Sequence, residues 1–171
     1  MHGDRPLVSE DRSAAALYVP AILAGLVAAI AGGIAWGLIV KSTDYEIGFA
    51  AAGIGFLTGL AVRTATRGAR GLPLQVIAVA CALLGIVLGK YLAFVWVLQE
   101  SAPGLNISVL SEDAFNLFRR NLDIVFDWID LLWVGFAVYT AWRTLQPEPP
   151  KPAETPDAPE RPEEAGAPPG P

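Results

Sequence analysis

Residues 72–98 read LPLQVIAVACALLGIVLGKYLAFVWVL, with Lys90 the one charged side chain. A helix rises about 1.5 Å per residue, so roughly 20 apolar residues cross a 30 Å hydrocarbon layer. This stretch is long enough to do so. Three more blocks accompany it, at 17–40, 45–62 and 122–145. Each is apolar nearly all round, unlike the one-sided stripe of a helix that covers a soluble core. The predicted fold is therefore all-α: a polytopic membrane protein with four transmembrane helices in a 17–145 domain. A polar N-terminal arm, 1–16, precedes it and a Pro-rich tail, 146–171, follows it.

The connections are unequal. A short first loop after Lys41 makes helices one and two antiparallel neighbours. The second, 63–71, is basic through Arg63, Arg67 and Arg70. The third, about 99–121, is long and carries the turn signal Pro103-Gly104. Within it, Ser111-Glu112-Asp113 reads as a helix start, with acids in the first turn. Phe115, Phe118 and Leu122 follow at helical spacing, as in a short interfacial helix or an extension of helix four. Tyr18 and Pro20 are expected where the first helix enters the bilayer, proline being tolerated in a first turn.

Orientation follows the lysines and arginines near helix ends. One side collects Arg5, Arg12, Arg63, Arg67, Arg70, Arg143 and Lys151; the other only Lys41, Arg119 and Arg120. Both termini are then cytoplasmic and the third loop periplasmic or exterior. Arginine-, alanine- and glycine-rich composition fits a GC-rich bacterial genome, hence an inner membrane. Ala29-Ile30-Ala31 has the form of a signal cleavage site, but its apolar run continues well past the 7–15 residues of a signal core.

The tail holds ten of the fourteen prolines and carries −4 of the chain's formal −5. With no aromatic residue it lacks the surface to build a core, so it is expected to be disordered. It reads as a solubilising tether, or as a docking peptide for a cytoplasmic partner through Pro147-Glu148-Pro149-Pro150. No basic patch suggests nucleic acid. His2 is the only histidine and Cys81 the only cysteine. That excludes His-based zinc sites, a Ser-His-Asp triad and an internal disulfide. Ser42 beside Lys41 reads as a helix end and not as a Ser-Lys dyad. No enzyme, cofactor or metal is expected.

Lipid is as apolar as leucine, so helix association in a membrane relies on close packing. Gly33-x-x-x-Gly37 in helix one, Ala51, Gly55 and Gly59 in helix two, and Cys81, Gly85 and Gly89 in helix three form smooth stripes. Helix four has only Gly135 and reads as an edge helix or a face for a partner. Trp36, Trp96, Trp128 and Trp142 fit interfacial belt positions, while Trp133 lies deeper.

Lys90 in helix three and Asp123, Asp127 and Asp130 in helix four are the charges to be explained. The three aspartates, at i, i+4 and i+7, share one face of a continuous helix. An unpaired Lys or Asp at the bilayer centre costs about 2.5–3.5 kcal/mol. Lys90 and Asp130 each lie about 12 Å in from the outer ends of their helices, so pairing is feasible. Three readings stay open: snorkelling and solvation, a structural pair of Lys90 with Asp127 or Asp130, and an ion or proton relay. The function expected is a structural or accessory subunit of a larger membrane assembly, partnered by other subunits or by itself. The alternative is an oligomeric small transporter or channel using Lys90 with Asp127 and Asp130.

Overall fold

The computed structural model describes residues 8–43, 48–102, 104 and 107–147. Among them every regular element is a helix, with no strand. The elements are α1 (Val8–Thr43), α2 (Phe49–Ala65), α3 (Leu72–Ser101), α4 (Glu112–Arg120), a single turn α5 (Leu122–Val125) and α6 (Trp128–Thr144). Two helices are long and apolar enough to cross a membrane, over Ala15–Thr43 and Leu72–Ser101. The tail from 148 onward lies outside the described residues, as do His2, the rest of 1–7, and 44–47.

Several boundaries differ from the sequence expectation. The arm expected over 1–16 is helical from Val8, because SEDRSAAAL holds neither Gly nor Pro and continues into the apolar block. Pro20 consequently sits inside α1 and not in its first turn. Past Leu98, α3 runs on to Ser101. The expected continuous helix over 122–145 is instead two pieces, interrupted at Phe126 and Asp127, which have extended backbone.

The glycines fix how the helices run. A Cβ on Gly25 would meet Cys81, one on Gly33 would lie 2.8 Å from the Gly85 carbonyl, and one on Gly37 would meet Leu92 and Trp96. Residue numbers rise together on both helices, so α1 and α3 are parallel. The same logic makes α2 and α6 parallel, since Gly48 faces Trp133, Gly55 faces Ala137 and Gly59 faces Thr144. Gly25 against Val62 and Gly32 against Ile54 set α1 antiparallel to α2. The result is a bundle of α1, α2, α3 and α6, with α1 packed most extensively on α3 and α2 on α6.

Its core consists largely of small residues in two layers. Ala21, Val62, Leu74, Ala78, Ala82, Ala141 and Leu145 form one. Trp36, Val40, Ala51, Ile54, Ile86, Ala93 and Ala137 form the other. Trp36, expected in a belt, is buried there because Gly89 leaves room for its ring. Many other large apolar side chains point outward: Leu23, Val27, Phe56, Leu84, Leu131 and Leu132 are exposed. So much exposed bulk around a core that is half alanine is unusual for a water-soluble bundle.

Candidate functional site

α3 is apolar along its length, and its one charged side chain before Glu100 is Lys90. Snorkelling does not occur: the Lys90 side chain is 1% exposed. It is held at the α5–α6 break, and that break has a local chemical cause. Asp127 is a helix N-cap, its side chain accepting from the Trp128 amide at 2.6 Å. Three residues on, the Asp130 carboxylate reaches back to the Asp127 amide at 2.9 Å. This reciprocal capping box starts α6 at Trp128. Asp127 therefore caps the helix and does not share its face with Asp130, as a continuous helix would require.

Lys90 closes the break. Its Nζ donates to Asp130 Oδ2 at 2.7 Å and to the Val125 carbonyl at 2.9 Å. Val125 ends α5, where a carbonyl has no partner within the helix and accepts an outside donor. The Phe126 ring centroid lies 5.5 Å from the same ammonium, within reach for a cation–π contact. Asp130 Oδ2 thus takes both the Lys90 ammonium and the Asp127 amide. Asp123 lies exposed on α5, outside this cluster. The Tyr91 hydroxyl, one residue from Lys90, is engaged by the Val109 carbonyl. Chemically the arrangement is a neutralised, hydrogen-bonded clamp between α3 and the start of α6.

Two further polar bonds hold the opposite ends of these helices, and the sequence reading did not anticipate them. Gln75, nearly buried in α3, donates to the Trp142 carbonyl at 3.1 Å. Arg70 Nη1 donates to the Gln146 carbonyl at 3.1 Å. A glutamine in an otherwise apolar helix start was the available signal.

The glycine stripes face neighbouring helices of the same chain. Gly33 and Gly37 meet α3, Gly55 and Gly59 meet α6, and Gly85 and Gly89 meet α1. Helix four, read as an edge or partner face, packs its Ala137 and Ala141 against these seams. Cys81 is a buried free thiol facing Gly25. Ser42 donates to the Leu38 carbonyl. Among the described residues no group of three or more His, Cys, Asp or Glu is placed to hold a metal. No protein-family model, curated protein or solved structure matches this chain.

Proposed function

We propose that this chain is an integral membrane protein of four spans, α1, α2, α3 and α6, serving as a structural or accessory subunit of a larger membrane assembly. α2 and α6, at 17 residues each, reach about 25 Å, the lower limit for a span. The exposed leucines and valines suit a lipid environment. Hydroxyls within the helices are satisfied internally: Thr58 donates to Ile54, Thr66 to Val62 and Thr144 to Thr140. Lipid offers no partner for such groups, so internal bonding is what a span needs.

Orientation follows from the bundle ends. Arg63, Arg67, Arg70 and Arg143 lie at the end where α3 begins and α6 finishes. Lys41, Arg119 and Arg120 lie at or beyond the other. The arginine-rich end is cytoplasmic by the positive-inside rule.

The Lys90–Asp130 pair carries the structural reading over transport. Its charges neutralise each other and its hydrogen bonds hold a helix break, so it works as a fastener. Purification in mild detergent tests this. Stoichiometric, salt-resistant co-purification with a different protein, retained in Lys90→Met/Asp130→Asn, supports the subunit reading. A lone homo-oligomer whose proteoliposomes conduct ions, with conduction abolished in Lys90→Met, would replace it with a channel.

A further inference from the structure

Along the outer side of the α1–α2 seam runs an open groove of about 600 Å³, lined by Leu23, Val27, Ala24, Ala31, Ala61 and Ala65 among others. Alanines facing each other across the seam leave the space that bulkier side chains would fill. From Pro20 to Ala31 the groove follows about 16 Å of α1, half the thickness of a hydrocarbon core. It adjoins a depression of about 250 Å³ lined by Leu60, Arg63, Thr64, Arg67 and Gly68, and Thr64 lines both. Arg63 sits in the last turn of α2 and Arg67 just past its end, in the turn that follows with φ 56°, and both line this depression.

The arginines differ in how they are engaged. Arg70 is bound to the end of α6. Arg63 and Arg67 have no acidic partner among the described residues, and loop 63–71 contains no acid. Their guanidinium groups offer planar donor forks matched to phosphate. An apolar channel of one-leaflet length ending at two guanidinium groups that have no acidic partner among the described residues is complementary to an amphiphile with an anionic head.

We propose that this surface binds an anionic phospholipid, its phosphate on Arg63 and Arg67 and one acyl chain along the alanine-lined groove between α1 and α2. Basic pockets between helices at the cytoplasmic surface bind such headgroups. The site rests on the reading that these helices span a bilayer with the arginine-rich end at its inner surface.

Native mass spectrometry of the full chain in an uncharged detergent tests it, with phosphatidylglycerol, phosphatidylcholine of the same chains, and glycerol phosphate as probes. The expected result is one retained phosphatidylglycerol per chain, favoured over phosphatidylcholine, with no retention of glycerol phosphate. Arg63→Gln/Arg67→Gln should weaken phosphatidylglycerol binding roughly 30-fold, and Arg63→Lys/Arg67→Lys far less. Ala61→Leu, which fills the groove, should weaken both lipids. Equal retention of the two lipids, undiminished binding in the Gln variant, or a lipid-free dimer that occupies the groove would overturn the proposal. A chain that stays monodisperse without detergent would overturn the membrane reading itself. A chain that needs detergent but shows no lipid preference overturns only the lipid site.

Discussion

Lys90 Nζ lies 2.7 Å from Asp130 Oδ2, and that same oxygen accepts the Asp127 amide at 2.9 Å. One carboxylate oxygen therefore does two jobs. It neutralises the buried ammonium of α3 and fixes where α6 begins. Removing either partner leaves something uncompensated, but the two losses are unequal, because Lys90 is fully enclosed and Asp130 is not: their side chains are 1% and 13% exposed.

Asp130→Asn should accordingly be the more damaging single change. Asparagine keeps an oxygen for the Asp127 amide but removes the Asp130 charge from the ammonium, a loss of about 3–5 kcal/mol for a broken buried pair. Lys90→Met should cost less, since Asp130 keeps its cap bond and some solvent. The double variant Lys90→Met/Asp130→Asn should recover part of the loss. Thermal unfolding in detergent measures all three. An Asp130→Asn protein as stable as the parent would show that the pair does not fasten the bundle.

The glycine seams make a prediction with opposite signs on one helix. A Cβ on Gly55 would run into the Ala137 carbonyl, which is backbone and has nowhere to go. Gly55→Ala should push α6 off α2 and cost about 1–3 kcal/mol. A Cβ on Gly53 meets nothing within 4 Å. Gly53→Ala should be neutral or stabilise by up to about 1 kcal/mol through helix propensity. Gly85→Ala, whose Cβ would lie 2.9 Å from the Ala29 carbonyl, should behave like Gly55→Ala. Equal melting temperatures for Gly53→Ala and Gly55→Ala would contradict the seam.

These particular residues show what the sequence discloses and what it withholds. Four-residue spacing identified Gly33, Gly55 and Gly85 as packing positions, because spacing alone puts residues on one helix face. It left open which stripe meets which, since that depends on distant chain segments. Matching depth makes a pair of Lys90 with Asp127 or Asp130 feasible in the sequence, but it does not choose between the two acids, nor between pairing, snorkelling and a relay. The break at Asp127 is masked in the sequence by a long apolar pattern that outweighs a local cap. Yet Asp127-Trp128-Ile129-Asp130 carries acceptors at the cap and three residues on, the arrangement that starts helices. Trp36 was misplaced for a related reason. Position near a helix end suggested a belt, and only the neighbouring Gly89 makes room to bury it.

Ser111 caps α4 by accepting from the Ala114 amide at 3.2 Å. Ser111→Ala should weaken that helix by about 1 kcal/mol. The rest of the bundle should not respond, because α4 touches it mainly through the Tyr91–Phe118 edge contact at 5.2 Å and the neighbouring Phe94. Hydrogen exchange resolves the two. Amides of α4 should exchange several-fold faster while those of α3 keep their protection. Faster exchange across α3 would mean that α4 braces the bundle.

Parallel packing of α1 on α3 bears on the proposed four-span arrangement. If α1 and α3 both span and run the same way, the segment between them has to return through the membrane, and α2 is the only helix there among the described residues. Parallel α2 and α6 impose the same demand on α3. Four crossings are then required for this bundle to sit in a bilayer, even though α2 and α6 are short. Single cysteines placed in a Cys81→Ala background test this by labelling with a membrane-impermeant maleimide. Ser42→Cys and Glu112→Cys should react in intact cells, whereas Arg67→Cys and Gln146→Cys should react only after permeabilisation. Labelling of Ser42→Cys and Arg67→Cys from the same side would remove α2 as a span, and the parallel α1–α3 seam could not then exist in a membrane.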